Sequence, residues 1–261
     1  MITSKDNSLI KEIKKLKEKK HRVKSKTFLV EGFRFVHEAL KSNSNVKYVF
    51  ICENVKEKWE NVYKNLDLNN TKRFIVSENV LKVISNTDNP QGVVAVVANK
   101  ENNLKKQNGF YILADKIQDP GNMGTIIRTA HASGAAGVII TKGTVDVYND
   151  KTLRSTMGSI FNIPVIEDKD LSTIRKLKTE GFKLVASYLD SESEDFYDVS
   201  LKENVILAVG NEGNGISTDI LQLSDIKVKI PMPGGTESLN AAVAASVMMY
   251  ETLRQNINKN I

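Results

Sequence analysis

Short apolar runs alternate with amphipathic segments along most of the chain. Brief runs rich in Val, Ile and Phe that end at turn residues predict buried β-strands, and apolar residues at helical spacing predict helices. The predicted strands cover residues 28–32, 46–52, 73–77, 92–98, 110–115, 137–141, 162–167, 183–187, 205–209 and 226–230. This alternation favours an α/β fold, with a mainly parallel sheet and helices on both of its faces in the second part of the chain.

The helical pattern is clearest at the N-terminus and around residue 122. Leu9, Ile10, Ile13 and Leu16 fall at helical spacing and predict one amphipathic helix over residues 5–20, with its lysines outward. A second helix is expected over 122–132, where the preceding Asp-Pro-Gly-Asn supplies a cap and a first-turn proline. Other helices are expected at 33–40, around 59–66, after 77, at 150–157, at 171–179 and after 240, and a polar acidic loop is expected at 190–198.

The segment 101–109 is polar and has no periodicity, so it is predicted to be a linker. It separates a small α/β unit, residues 1–100, from a larger one, residues 110–261. A length of 261 residues with 41% hydrophobic and 26% charged residues suits a soluble protein of one large or two ordinary domains, and the linker favours two.

Three features of the composition favour a cytoplasmic protein that is not attached to a membrane. Cys52 is the single cysteine, which excludes an internal disulfide framework and a cysteine-based metal cluster. The N-terminus has no apolar region typical of a signal peptide. The longest nearly apolar stretch, residues 241–250, is too short to cross a bilayer.

Positive charge is concentrated at the N-terminus. Residues 1–26 hold ten Lys or Arg and three acidic residues, a net charge of +7, whereas the whole chain carries +6. A basic segment on a nearly neutral body indicates RNA or DNA bound through phosphates, although the composition fits a solvated lysine-rich helix equally well. The candidate phosphate contacts are Lys14, Lys15, Lys19, Lys20 and Arg22.

Two glycine-containing loops follow the last two predicted strands, at residues 210–215 and 231–235. Ligands bind in α/β folds at the carboxyl ends of strands, so the pair predicts a binding site. Glu212 lies in the first loop, and Ser238 and Asn240 precede the last helix. Either loop alone is equally consistent with an ordinary strand–turn–helix connection.

Arg128 lies in an apolar stretch, residues 126–130, and is therefore predicted to be buried with a partner. It either forms a structural salt bridge or binds an anionic group at the strand ends. Standard nucleotide motifs are absent from the sequence, since it contains neither GxGxxG nor GxxxxGK[ST]. A nicotinamide-dependent oxidoreductase is disfavoured for that reason, and the three histidines have no metal-ligand spacing.

Three segments together resemble the SpoU (TrmH-like) family of RNA ribose 2′-O-methyltransferases, of the SPOUT class. These are DPGNMGTIIRTA at 119–130, LAVGNEGNGIS at 207–217 and IPMPGGTESLNAAVAAS at 230–246. They are similar to the family's Asn-x5-Arg, Gly-x-Glu-Gly and Ile-Pro-Met…Ser-Leu-Asn motifs. Residues 1–98 are similar, more loosely, to the family's substrate-binding domain.

The resemblance implies a C-terminal trefoil knot, S-adenosylmethionine as cofactor with no metal, and a homodimer formed through the C-terminal domain. It implies methylation of a ribose 2′-hydroxyl in RNA, with large-subunit ribosomal RNA favoured. The alternatives are a transfer RNA methyltransferase and a non-catalytic RNA-binding factor on the same fold. The implied cofactor-binding residues are Gly210, Asn211, Ile230, Ser238, Leu239 and Asn240.

The resemblance also assigns catalytic roles, to Asn122, Arg128, Glu212, Ser238 and Asn240. Arg128 is expected to polarise the 2′-hydroxyl or handle its proton. Glu212 is expected to pair with or orient Arg128, and Asn122 to position the ribose or a phosphate. Methylation of a base through a cysteine adduct is disfavoured, because Cys52 lies in the other domain.

Overall fold

The structure is a computed structural model that describes residues 1–42, 44–64, 71–100, 109–202 and 204–257. The chain divides into two compact units. The first contains Met1–Glu101 and Tyr148–Phe161, and the second contains Asn102–Val147 and Asn162–Ile261. Residues 101–108 of the predicted linker, and residues 65 and 66 of the helix predicted around 59–66, lie outside the described residues.

Strands and helices alternate through the described ranges as the sequence pattern predicts. The strands are β1 (Thr27–Glu31), β2 (Val46–Cys52), β3 (Lys72–Val76), β4 (Val93–Ala98), β5 (Phe110–Ala114), β6 (Gly137–Thr141), β7 (Val165–Asp168), β8 (Lys183–Ser187), β9 (Glu194–Asp195), β10 (Val205–Val209) and β11 (Ile226–Lys229). The helices are α1 (Ser8–Lys15), α2 (Lys19–Ser25), α3 (Phe33–Lys41), α4 (Lys56–Tyr63), α5 (Glu78–Ile84), α6 (Pro120–Ala132), α7 (Asp150–Thr156), α8 (Ser172–Thr179), α9 (Thr218–Leu223) and α10 (Ala241–Ile257).

A four-stranded sheet forms the centre of the first unit, in the order β1-β4-β2-β3. The pairs β1–β4 and β2–β4 are antiparallel, and β2–β3 is parallel. Helices α1 and α5 bring Ile10, Ile13, Leu81 and Ile84 into one buried apolar cluster with Phe50 of the sheet. Burial of such side chains is the dominant favourable term in folding, so this unit has a hydrophobic core of its own.

The predicted single helix over residues 5–20 is wrong. The side chain of Asn7 accepts hydrogen bonds from the backbone N–H groups of Leu9 and Ile10, which starts α1 at Ser8. The helix then stops after Lys15, and Arg22 from α2 folds back on the break. Its Nη1 donates to the carbonyl oxygens of Leu16 (2.8 Å) and Lys17 (2.7 Å).

The segment Tyr148–Phe161 belongs to the first unit, although the sequence division assigns it to the second domain. The ring of Tyr148 stacks on Phe28 of β1 at 4.6 Å between centroids. Phe161 lies 5.3 Å from the ring of Phe35. These aromatic contacts explain why α7 groups with a domain that is distant in sequence.

The sheet of the second unit has seven strands in the order β7-β6-β5-β10-β8-β11-β9, and every pair in it is parallel. All residues of β5 and β10 are buried, as expected for central strands covered on both faces. The predicted α/β class and parallel sheet are confirmed. The trefoil knot is a matter of how the chain threads, which strand order does not test, so it stays a prediction.

The prediction of a loop over the acidic segment 190–198 is wrong in part. Glu194 and Asp195 form β9, which pairs with β11 at the edge of the sheet. Asp195 lies 3.7 Å from the ammonium of Lys229 on β11. Two residues are too few to produce an alternating pattern, so the sequence carries no signal for this strand.

None of the helices within the described ranges has both the length and the hydrophobicity needed to cross a membrane.

Candidate active site

The site forms where β5 and β10, neighbours at the centre of the sheet, both end. Because the two strands are parallel and Val209 pairs with Ala114, their carboxyl ends lie side by side. The loop after β5 leads into α6, and the loop after β10 leads into α9. The two strands therefore deliver the motifs around Asn122 and Glu212 to one edge of the sheet.

The loop after β10 closes tightly on itself. Asn211 and Gly215 exchange two backbone hydrogen bonds of 2.9 Å, and the side chain of Asn211 accepts from the N–H groups of Gly213 and Asn214. A Cβ at position 210 would lie 2.1 Å from the carbonyl carbon of Gly215 and 2.2 Å from the backbone nitrogen of Ile216. Only glycine fits there, since backbone atoms cannot move aside as the end of a side chain can.

Helix α6 begins as the sequence predicts. Asp119 accepts a hydrogen bond from the backbone N–H of Asn122 at 2.8 Å, and Pro120 occupies the first helical position. Proline loses nothing there because the first N–H groups of a helix have no partner within the helix. This cap fixes the direction in which the side chain of Asn122 leaves the helix.

Asn122 is held at both ends of its amide. Its Nδ2 donates to Oε1 of Glu212 at 2.7 Å, and its Oδ1 accepts from Nδ2 of Asn240 at 3.0 Å. Asn240 in turn accepts from the N–H groups of Ala242 and Val243, which caps α10. The three predicted site residues thus form one hydrogen-bonded chain, which we call the amide–carboxylate network.

Glu212 remains ionised in this network. Partial burial opposes its charge, but hydrogen bonds from Asn122 and from backbone groups, including the N–H of Gln118, outweigh that effect and lower the pKa of the carboxyl. An ionised carboxylate accepts hydrogen bonds and cannot donate them. It therefore fixes Asn122 with Nδ2 toward Glu212 and Oδ1 toward Asn240.

Arg128 is exposed, so its predicted burial is wrong. Ile126, Ile127 and Ala130 carry the buried face of α6, and Arg128 lies between them in sequence but on the solvent side of the helix. Its guanidinium makes no hydrogen bond or ion pair with any residue that the structure describes. Glu212 contacts Asn122 rather than Arg128, so the expected Glu212–Arg128 pair is also wrong.

A cleft of about 380 Å³ opens beside the network. Among the residues that line it are Gly210, Asn211, Ile230, Ser238 and Leu239, which are five of the predicted cofactor-binding residues. The remaining one, Asn240, belongs to the network and does not line the cleft. Ser238 is exposed, and its backbone carbonyl accepts a hydrogen bond from the hydroxyl of Thr236.

A buried carboxylate that the sequence reasoning missed braces the site. Asp115, at the end of β5, is 1% exposed and accepts from the hydroxyl of Thr141 and from the N–H of Ser217, both at 2.7 Å. It ties the ends of β5 and β6 to the loop after β10. The sequence feature that indicates a role for Asp115 is its position directly after an apolar strand, where polar residues often serve a site.

Within the described ranges, no group of three or more His, Cys, Asp or Glu residues is arranged to hold a metal ion.

Comparison with known proteins decides the family. Residues 109–250 match the model described as the SpoU rRNA Methylase family. The chain belongs to the SpoU rRNA methylase family. Residues 7–95 match the MRM3-like substrate binding domain. The predicted family and enzyme class, an RNA methyltransferase, are confirmed.

Individual SpoU proteins resemble this chain over nearly its whole length. The 23S rRNA (guanosine(2553)-2′-O)-methyltransferase RlmP of Bacillus subtilis is 37% identical over 249 residues, which is 95% of this chain and 97% of that protein. An AdoMet-bound rRNA methyltransferase from Sinorhizobium meliloti has a TM-score of 0.85 at 33% identity, with 97% of each chain covered. The AdoMet complex of AviRb from Streptomyces viridochromogenes has a TM-score of 0.86 at 29% identity, covering 96% of this chain and 98% of that one.

Proposed function

We propose that this SpoU protein transfers a methyl group from S-adenosylmethionine to a ribose 2′-hydroxyl in large-subunit ribosomal RNA. The observation that carries the proposal is the amide–carboxylate network beside a cleft lined by the predicted cofactor-binding residues. A protein that only bound RNA would have no need of an ionised carboxylate and two oriented amides at the rim of such a cleft.

The cleft suits the cofactor in size and in chemistry. A volume of about 380 Å³ falls within the range of small-molecule and cofactor sites. Gly210 permits the tight closure of the loop that forms one wall of the cleft, and Ile230, Leu239 and Met232 supply apolar surface for a flat ring. S-adenosylmethionine, when bound, supplies a methyl group already activated by its sulfonium.

The network residues act on the acceptor. A 2′-hydroxyl must be aligned with the methyl group and must lose its proton, so positioning accounts for much of the rate. Asn122 lies at the end of α6 that meets the cleft loop, and its amide is fixed by Glu212 and Asn240. We assign Asn122 to holding the ribose or its phosphate, and Glu212 and Asn240 to holding Asn122. Ser238, which lines the cleft, is assigned to the boundary between cofactor and acceptor.

Arg128 is assigned to electrostatic stabilisation of the 2′-oxygen as its negative charge develops. A guanidinium that is exposed and makes no ion pair within the described part of the chain is available to RNA. Its planar array of donors suits an oxyanion or a phosphate.

The first unit is assigned to binding the RNA, which divides the chain into a binding domain, residues 1–100, and a methyltransferase domain, residues 110–261. The segment Tyr148–Phe161 of that second range packs within the first unit. Lys14, Lys15, Lys19 and Lys20 are all exposed around α1 and α2. Arg22 is 7% exposed and bonded to backbone carbonyls, so it is left out of the proposed phosphate contacts.

Support for ribosomal RNA comes from the name of the B. subtilis relative, and a ribosomal substrate implies the predicted cytoplasmic location. The nucleotide that corresponds to guanosine 2553 in that name is the first candidate for the target of this chain.

The homodimer predicted from the family resemblance is supported by an apolar stripe on α10. Val243, Tyr250 and Ile257 are 48%, 51% and 56% exposed and follow one another at seven-residue intervals, with half-buried Val247 between the first two. Seven residues are two helical turns, so these side chains share one face of the helix. We propose that a second copy of the chain covers this stripe.

Light scattering tests the proposed dimer. It should give the mass of a dimer for the wild type and of a monomer for the double variant Val243→Lys/Tyr250→Lys, and a monomeric wild type would refute the proposal.

Methyl transfer in vitro tests the proposed reaction. The purified chain, ribosomal RNA lacking modifications and methyl-labelled S-adenosylmethionine should yield one labelled 2′-O-methylnucleoside after complete digestion. Labelled base, or no label with a protein that binds S-adenosylhomocysteine, would refute it. If label appeared in transfer RNA but not in ribosomal RNA, the proposed reaction would stand and the proposed substrate would be wrong.

A further inference from the structure

A second cavity lies beside the loop after β10, and it does not belong to the cofactor cleft. It has a volume of about 530 Å³. The residues that line it are Lys116, Gln118, Asn211, Asn214, Gly215, Ile216, Ser217 and Thr218. Asn211 and Gly215 also line the cofactor cleft, so the two spaces share the loop of residues 210–215 as a wall.

Several polar side chains contribute to the lining of this cavity, beside apolar surface. It presents the ammonium of Lys116, the amide of Asn214 and the hydroxyls of Ser217 and Thr218. The side-chain amide of Gln118 already donates to the carbonyls of Lys116 and Gly143, and that of Asn211 donates to the carbonyl of Lys116. Among these lining residues there is no carboxylate and no aromatic ring. Phosphate and sugar oxygens are recognised by such donors, whereas single-stranded bases are held mainly by stacking on aromatic rings.

Lys116 is held in a conformation that lysine rarely adopts. Its φ is +54°, in the left-handed region that residues other than glycine seldom occupy, because the Cβ crowds the backbone there. Three hydrogen bonds fix its backbone there. Its N–H donates to Thr141 Oγ1 at 3.0 Å, and its carbonyl accepts from Gln118 Nε2 at 3.1 Å and from Asn211 Nδ2 at 2.9 Å.

The ammonium of Lys116 has nothing to neutralise it within the described part of the chain. The residue is exposed, and its ammonium forms no hydrogen bond or ion pair with the described residues. Asp115, the adjacent residue, is buried, and its two oxygens already accept from Thr141 and Ser217. Residues whose strained backbone is held by the surrounding structure cluster at ligand-binding and active sites. Lys116 combines such a backbone with an ammonium that is free to bind an anion.

The cavity is also connected to the acceptor side of the active site. The backbone N–H of Gln118, one of its lining residues, donates to Oε2 of Glu212 at 3.4 Å, and Oε1 of Glu212 accepts from Asn122. A ligand in the cavity would therefore contact Gln118, which is bonded directly to Glu212 of the amide–carboxylate network.

We propose that this cavity holds the phosphate and ribose of the nucleotide next to the methylated one in the RNA strand, with Lys116 as its phosphate contact. The proposal rests on the proposed function, because it places the second nucleotide relative to the acceptor site. It makes Lys116 a residue for binding and registering the RNA rather than for the chemical step.

Steady-state methylation by three variants of the full chain tests it. Lys116→Met removes the charge at similar length, Lys116→Arg keeps the charge, and Lys116→Gly removes the side chain while relieving the left-handed backbone. Lys176→Met, on the exposed surface of α8, is the matched control for loss of one charge.

We expect Lys116→Met and Lys116→Gly to raise KM for RNA about tenfold, the size of one lost charge-assisted hydrogen bond, with kcat within about threefold of wild type. In both variants the slope of log K for RNA binding against log salt concentration should fall by about one, as expected for the loss of one phosphate contact. Lys116→Arg and Lys176→Met should resemble the wild type, and affinity for S-adenosylhomocysteine should not change in any of them.

An unchanged KM in Lys116→Met, or an equal rise in Lys176→Met, would overturn the proposal. Retention of wild-type KM in Lys116→Gly would show that the side chain does not bind RNA. These outcomes are distinct from failure of the proposed function, in which the wild type itself would methylate no RNA.

Discussion

Asn122 and Glu212, separated by 90 positions in the sequence, are joined by a hydrogen bond of 2.7 Å between Nδ2 and Oε1. The bond exists because α6 follows β5 and the loop of Glu212 follows β10, and these strands are parallel neighbours. Asn240 completes the network from the start of α10. Three elements that are distant in sequence therefore fix one amide at the rim of the cofactor cleft.

Replacing Glu212 with Gln should slow methyl transfer without preventing cofactor binding. Glutamine lacks the charge that strengthens the bond from Asn122, and loss of a hydrogen bond to a charged group costs roughly 1.5–3 kcal/mol. We expect single-turnover rates to fall by about 10- to 100-fold. Glu167→Gln, on the edge strand β7, is the control and should be silent. If the Glu212→Gln enzyme were as fast as the control, Glu212 would have no role in methyl transfer.

The same substitution should alter the pH dependence of stability. The pKa of Glu212 is lowered in the folded chain, so its contribution to stability is fully present above the ordinary glutamate pKa and is lost as pH falls through the lower folded value. The difference in denaturant midpoint between wild type and Glu212→Gln should be constant near neutrality and shrink below about pH 4. A difference that grew as the pH fell would contradict the assigned direction.

Arg128→Ala should reduce turnover by a factor on the order of 10²–10⁴, the range for losing one group that stabilises a developing charge. Affinity for S-adenosylhomocysteine should change by less than about tenfold, or roughly 1.4 kcal/mol. Since Arg128 is exposed, the free energy of unfolding should change by no more than about 0.5 kcal/mol.

Arg128→Lys is the companion variant and should not restore the rate, because an ammonium lacks the planar fork. Near-full methylation by Arg128→Ala would show that the residue is dispensable for the chemistry. Loss of cofactor binding together with turnover would assign Arg128 to the cofactor site or to the fold.

Gly210→Ala should destabilise the second unit by about 3 kcal/mol, at the upper end of the cost of overpacking. The added methyl would meet backbone atoms at 2.1 and 2.2 Å, and the hydrogen-bonded loop cannot give way. Gly234→Ala is the matched control, since a Cβ there meets nothing within 4 Å. Denaturant unfolding measures both, and equal stability of the two variants would contradict the loop geometry.

Replacing Lys14, Lys15, Lys19 and Lys20 with Ala should weaken RNA binding across sequences and flatten its salt dependence. Removal of one phosphate–lysine interaction reduces the slope of log K against log salt by roughly 0.7–0.9, so removal of four would reduce it by about 3. Filter binding at several salt concentrations measures the slope.

The matched control replaces four exposed lysines elsewhere in the first unit, Lys41, Lys47, Lys56 and Lys72. It should change the slope by less than half as much. Equal slopes for the two variants would mean that the N-terminal lysines are only a solvated face.

The sequence was sufficient to predict the sheet and the edge at which the site forms. Apolar runs identified β5 and β10, and the rule that ligands bind at the carboxyl ends of strands identified the loops at 210–215 and 231–235. Asn122 was assigned to the site by the family resemblance. The partners within the network could not be predicted, because a hydrogen bond between residues 90 positions apart depends on side-chain directions that no local pattern contains.

The wrong predictions of burial concern two arginines, Arg128 and Arg22, whose sequence neighbours suggest the opposite environment. Arg128 is flanked by apolar residues, but each residue of a helix turns the side chain by about 100°, so adjacent positions differ in burial. Arg22 lies in a run of basic residues that predicts an exposed surface, yet it folds inward and donates to the carbonyls of Leu16 and Lys17. In both cases tertiary packing, rather than composition, decides where the charge lies.

A map of 2′-O-methylated nucleotides in ribosomal RNA, from cells with and without this gene, tests the central claim most directly. We predict that one large-subunit nucleotide loses its ribose methyl group in the deletion. The wild-type gene should restore the methyl group, and the Arg128→Ala gene should not. Identical maps with and without the gene, or loss of a methyl group from transfer RNA alone, would contradict it.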